Sequence, residues 1–232
     1  MLCEIAELLV EVSGAGGMAP RLGAYLTDRT DAPDMIIREE SYNRGRWPGL
    51  DEELATYLDS GWLFYTKLLL HGGMLLHSSA VSLDGRAYLF SAPSGMGKST
   101  HTRLWEKEFP GAIVFNDDKP ALRERDGTWY AYGTPWCGKD GINVNMKVPI
   151  AGICFLKRGE KNEIRRLSKI EAVAAIFTQT TSRFAKIETL DVLLNIMDRV
   201  IDSVPIYELK CTPEPEAARL SYEVMSKGGQ VI

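Results

Sequence analysis

Three short stretches carry residue types that can handle a phosphate group. The segment Ala92 to Thr100, APSGMGKST, follows the pattern G-x-x-x-x-G-K-[ST] at Gly97, Lys98 and Ser99, with Ala92 in place of the opening glycine. In such a loop Gly95 and Gly97 permit backbone turns that aim the N–H groups of Ser94, Gly95, Met96, Gly97, Lys98, Ser99 and Thr100 at phosphate oxygens. The Lys98 ammonium then reaches the outer phosphates, and the Ser99 hydroxyl ligates Mg²⁺. At Ala92 the methyl group costs little if φ is negative, and about 1 kcal/mol or more if it is positive.

The second stretch, VFNDD, puts Asp117 and Asp118 just past an apolar run, about 20 residues after the loop. Taken alone, paired acids there read as a solvated turn. Beside a lysine-bearing loop they acquire a second reading: one carboxylate holds Mg²⁺ while the other accepts the proton of an attacking hydroxyl. Adjacent parallel strands would bring both pieces to one sheet edge.

The third is His77, in LLHSSAV on the strand before the loop strand, either a satisfied core residue or a group at the reacting centre. His101, in the first turn after the loop, is either a phosphate neighbour or a surface residue, and His71 lies near a helix end. In TPWCGKDG, Lys139 can bring positive charge to a transferring phosphoryl group. Trp136 beside it is either a buried anchor or a platform for substrate, and Cys137 is a small filler.

The elements that must hold these residues follow from periodicity. Short apolar runs at Ile5–Val12 and Met35–Ile37, separated by SGAGG and NRGRWPG, predict a small strand-rich lobe over residues 1–50. From Asp51, apolar residues from Leu54 to Leu69 recur at helical spacing up to HGG. Then come a strand, an Asp84-Gly85 turn, a second strand, the loop and a helix over Ser99–Lys107. A further hairpin turns at Asp126-Gly127. Ser168 and Glu171 form a capping box ahead of a helix over Lys169–Gln179. A helix over Glu188–Ser203, a strand over Ile206–Cys211 and a helix over Glu214–Met225 complete the chain.

The composition excludes several classes. A net charge of −4 gives no electrostatic footprint for nucleic acid or an acidic membrane. Four scattered cysteines without a C-x-x-C pair suggest neither a zinc site nor a disulfide framework. No apolar run approaches a membrane span and no signal peptide opens the chain, so the expected location is the cytoplasm.

Together, LLHSSAVSLDGRAYLFSAPSGMGKST and VFNDDKPAL resemble the catalytic domain of the HPr serine kinase/phosphorylase family and its kinase-related relatives. The same core is similar to the P-loop region of ATP-dependent phosphoenolpyruvate carboxykinases. His77, Gly95, Gly97, Lys98, Ser99, Asp117 and Asp118 match in order, within Leu75 to Leu167. The tail VPIYELKCTPEPEAARL resembles stand-alone HPr-kinase-related proteins, including peptide-modifying kinases of lasso-peptide clusters. The resemblance implies an α/β fold with a P-loop core, a mixed sheet and a helical C-terminal part, the kinase-like domain covering residues 51–232. It implies a kinase using ATP, or another nucleoside triphosphate, with Mg²⁺. Asp117 or Asp118 would be the base and the other would face the metal, Asp118 with Ser99 being the expected ligands, and His77 would support the reacting group. The acceptor is a serine-like hydroxyl on a peptide, protein or small molecule, and a homo-oligomer is compatible with the helix Leu54–Leu70. Two rivals are a regulatory protein that binds nucleotide without transferring phosphate and a carboxykinase acting on a carboxylic acid. The second needs an arginine cluster, for which only scattered residues such as Arg103 and Arg158 are available.

Overall fold

The computed structural model describes residues 1–14, 16–180 and 187–228. The chain opens with β1 (Leu2–Ile5), β2 (Leu8–Val12), the short helix α1 (Ala19–Leu22) and β3 (Met35–Ile37). These strands form a separate three-stranded sheet in the order β1-β2-β3. Helix α2 (Glu52–Leu68) follows, its first turn capped by Asp51, whose side chain accepts the Leu54 N–H. That cap, with Glu52 and Glu53 near the positive helix end, fixes where the helix starts. Its apolar face buries Phe64, Tyr65 and Leu68 against residues of the small sheet and against Trp136. The aromatic helix is therefore core, as its spacing suggests.

The main sheet is built from β4 (Gly73–Leu75), β5 (Ser78–Leu83), β6 (Arg86–Ser91), then, after α3 (Lys98–Glu108), β7 (Ile113–Asn116), β8 (Ala121–Arg125), β9 (Thr128–Tyr132), β10 (Lys147–Arg158) and β11 (Glu163–Arg166). Helices α4 (Lys169–Thr178) and α5 (Ile187–Ser203), strand β12 (Ile206–Cys211) and helix α6 (Pro215–Ser226) complete the chain. The strand order is β4-β8-β9-β10-β6-β5-β7, with β12 between β10 and β11. Strands β6, β10 and β12 run parallel, whereas β5 is antiparallel to both β6 and β7. The result is an α/β fold around a mixed sheet.

Alternation along the central strands explains why helices cover both faces. Ala87 and Leu89 of β6, with Ile153 and Phe155 of β10, pack on Leu193, Ile196, Met197 and Val200 of α5. Tyr88 and Phe90, with Cys154 and Leu156, point the other way and meet Trp105 of α3 and Met225 of α6. A strand buried on both faces needs apolar residues at every position, which is what AYLF and ICFL supply. Each fully buried large side chain contributes about 1.5–3 kcal/mol, so this sandwich is a rigid base for the loops at its edge. Among the described residues, no helix is long and apolar enough to cross a membrane.

One expectation about the sheet needs correction. The strand that carries the loop and the strand that carries the paired acids do run in the same direction, but they are not neighbours, because β5 lies between them. The two-residue turn at Asp84-Gly85 makes β5 and β6 a hairpin, and β7 adds to the free side of β5.

Candidate active site

At one sheet edge, β6 ends in the loop, β7 ends in the two acids, and the antiparallel β5 begins. His77 sits immediately before β5, in the connection from β4 and outside either strand. Its N–H donates to Gln179 O at 2.7 Å, while the Ser91 hydroxyl donates to His77 O at 2.8 Å. The Ser78 N–H donates to Asp118 O at 3.0 Å, tying the start of β5 to the chain after β7.

The loop turns at Gly95 (φ 77°) and Gly97 (φ 104°), both left-handed. Ala92 is not among the positive-φ residues, so its methyl group is accommodated without strain and lies buried. Gly97 is the N-cap of α3 and no side chain caps that end. The first-turn N–H groups of Lys98, Ser99 and Thr100 therefore have no intrahelical partner and face the cleft at the positive end of the helix. Lys98 is 9% exposed, and its Nζ donates to Ala92 O at 2.8 Å and lies 3.0 Å from His77 Nε2. Burial lowers its pKa, opposed by Asp118 and reinforced by Lys119.

His77 Nε2 also lies 3.0 Å from Asp118 Oδ1, and Nδ1 lies 3.0 Å from Gln179 Oε1. An imidazole nitrogen makes one in-plane hydrogen bond, so the Lys98 and Asp118 contacts are alternatives. Nδ1 faces the Gln179 amide oxygen, and Nε2 faces both the ammonium and the carboxylate.

The two acids differ. Burial pushes the Asp118 carboxyl up, but the hydrogen bond from His77 and the charge of Lys119 outweigh it and hold Asp118 well below the usual carboxylate range. Lys119 Nζ bonds Asp118 Oδ2 and stands 5.4 Å from the Tyr57 ring centroid. Asp117 is 7% exposed and its pKa is raised by burial, partly offset by the Gly138 N–H, which donates to Oδ1. A Cβ on Gly138 would stand 2.7 Å from Asp117 Oδ2, so the 137–139 loop approaches this acid as only glycine allows. Lysine 119, Gly138 and Gln179 are site residues that sequence reasoning missed. Gln179 is 102 positions from His77, and no local pattern links them.

These pieces line one cleft of about 600 Å³, formed by His77, Ser94, Gly95, Gly97, Lys98, Ser99, Thr100, Arg103, Asp117, Asp118, Gly138, Lys139 and Asp140. Lys139 stands exposed on its rim. Met96 faces away, into an adjoining recess of about 430 Å³ that it lines with Leu104, Leu156 and Cys211, and which shares Gly95, Gly97 and Thr100 with the cleft. One side chain lies elsewhere than anticipated. His101 is neither at a phosphate position nor on the surface: it is 3% exposed, 3.2 Å from Ser221 Oγ and edge-on to Phe90, with its pKa pushed down to about 3 by burial. Trp136 stacks on Phe64 at 4.6 Å and is buried, so it offers no face to a substrate.

No group of three or more acid, histidine or cysteine side chains suited to a metal occurs among the described residues. The Ser99 hydroxyl and the ionised Asp118 on one cleft suit instead a cation such as Mg²⁺, which keeps several waters and takes one or two carboxylates plus phosphate oxygens.

Residues 51–214 match the family model described as SynChlorMet cassette protein ScmC. No curated protein matches the chain. Among solved structures, the Hpr(Ser) kinase/phosphatase from Coxiella burnetii is similar at 11% identity, covering 66% of this chain and 94% of that chain with a TM-score of 0.37. That likeness is too remote to carry chemistry from one chain to the other.

Proposed function

We propose that this chain, which belongs to the family of SynChlorMet cassette protein ScmC, is a phosphotransferase that moves a phosphoryl group from a magnesium-bound nucleoside triphosphate to a hydroxyl. One observation carries the reading: an uncapped helix N-terminus, a lysine, a histidine and two carboxylates of unlike protonation tendency line a single cleft. The loop N–H groups from Ser94 to Thr100 would hold the phosphates, and the apolar recess beside Met96 would take the nucleoside. Ser99 and Asp118 would hold the magnesium ion, which would supply positive charge to the phosphates.

Asp117 is the better base. Its pKa is raised by burial, which suits it to take a proton, and the Gly138 N–H holds it in place through Oδ1. The acceptor oxygen attacks the terminal phosphorus as its proton passes to Asp117, the bond to the bridging oxygen breaks, and nucleoside diphosphate leaves. Lys98 would leave the Ala92 carbonyl for the transferring phosphoryl group.

Purified protein, Mg²⁺, γ-labelled ATP and a metabolite and peptide pool test this directly. Asp117→Asn should reduce labelling about 10²–10⁴-fold while calorimetry finds ATP bound as in the parent. Unchanged transfer or hydrolysis rates in that variant would refute the mechanism.

A further inference from the structure

A second opening adjoins the cleft and is lined by none of the phosphate-loop residues. It has a volume of about 440 Å³ and shares Asp118, Gly138 and Lys139 with the cleft; its other walls include Arg21, Tyr57 and Lys119. Resting on the phosphotransferase reading above, we infer that this opening is the acceptor pocket and that Arg21 reads a carboxylate on the acceptor, close to the hydroxyl that receives the phosphate.

Three observations converge on Arg21. It is half-buried, comes from α1, and is fixed in place: Nη1 donates to Cys137 Sγ at 2.9 Å and to Cys137 O at 3.4 Å, and its guanidinium carbon stands 4.9 Å from the Tyr57 ring centroid. The Tyr57 hydroxyl donates to the same carbonyl at 2.6 Å, which locks the ring. Second, among the described residues no carboxylate pairs with Arg21, so its Nε and Nη2 protons remain available. Lys119, by contrast, is committed to Asp118. Third, the position is set relative to the chemistry: Arg21 is held on Cys137, and the next residue, Gly138, donates to Asp117.

Adjacent residues are about 3.8 Å apart, so the guanidinium and the base are separated by little more than one peptide unit and the hydrogen bonds at each end. A β-hydroxy carboxylate spans such a gap, its hydroxyl at Asp117 and its carboxylate on the guanidinium fork. Two acids also face the opening. Asp51 is engaged by the Leu54 N–H at the start of α2, and the Glu53 side chain lies against Gly17. Their negative charge at the α2 end leaves the Arg21 end, with Lys139, as the place for an anion. The carboxylate can belong to a free hydroxy acid or amino acid, or to the C-terminus of a peptide.

The test uses the full chain, MgATP and paired acceptors: L-serine against L-serinamide, and a short peptide ending in serine as free acid against its C-terminal amide. We expect phosphate transfer to at least one free acid, with an acceptor KM at least tenfold higher for its amide, and calorimetric binding of the preferred acid that the amide lacks. The pair of acids that accepts phosphate identifies the source. Arg21→Gln should raise the acid's KM about 10- to 100-fold and bring acid and amide together, and Arg21→Lys should recover part of the discrimination. Equal use of acids and amides, transfer to none of the four, or an unchanged acid KM in Arg21→Gln would overturn the inference. A chain that binds no MgATP would instead defeat the phosphotransferase reading beneath it.

Discussion

Replacing Asp118 by Asn removes one charge from a nearly enclosed set and should be visible first in stability. The Asp118 and Lys119 side chains are 20% and 24% exposed, so their pair lies between a surface ion pair, worth about 0–1 kcal/mol, and a buried one, where loss of a partner costs about 3–5 kcal/mol. The Tyr57 ring 5.4 Å away continues to face the stranded ammonium. We therefore expect Asp118→Asn to cost about 2 kcal/mol at neutral pH, or about 4–8 °C in Tm for a chain of this size. The pH dependence follows from direction. Asp118 is held below the ordinary carboxylate range, so its contribution is complete above the unfolded value of about 3.9 and fades as pH falls further, toward the folded value. Parent and variant should differ fully at pH 6–7 and converge in acid. Urea unfolding followed by tryptophan fluorescence at several pH values measures both, with Lys119→Met completing a cycle whose coupling should reach about 1 kcal/mol. A variant indistinguishable from the parent at pH 7, or a gap that does not narrow below pH 4, would refute this account of the pair.

Two further outcomes follow from single residues. Gly97→Ala puts a Cβ where no atom lies within 4 Å, so its cost is the strain of φ 104°, about 1–2 kcal/mol; a lowered Tm with weakened MgATP binding in calorimetry would bear this out, and an unchanged Tm would not. His101 is buried neutral, with its pKa pushed down to about 3, so the unfolded chain takes up a proton first. Stability should fall by about 1.4 kcal/mol per pH unit from this group as pH drops below about 6, and acid unfolding of His101→Phe should lose that component.

Much of the fold was legible because its signals are local. The onset of helical spacing at Asp51, the Asp84-Gly85 turn and the Ser168–Glu171 capping box each mark a boundary, and the helices and hairpin lie where those marks put them. The left-handed turns at Gly95 and Gly97 were likewise readable, since only glycine adopts such φ values freely. What escaped depends on contacts across the chain. His101 has polar neighbours in sequence, yet α6 closes over it and brings Ser221 from 120 positions away. Gln179 meets His77 across 102 positions. Neither pairing leaves a periodic trace.

The misplaced neighbour relation of the loop strand and the acid strand has a chemical consequence. Had β6 and β7 been adjacent, the loop and the acids would have faced each other with nothing between, and His77 would have had no route to both. Because β5 is inserted antiparallel, its first residues lie level with the last residues of the strands on either side: Ser78 pairs with Ser91, and Ala80 with Asn116. The residue before β5 is therefore carried to the midpoint of the edge, within 3.0 Å of both Lys98 and Asp118. One ring nitrogen therefore meets both the ammonium and the carboxylate, an arrangement that strand order creates and that the spacing of the three motifs along the chain does not reveal.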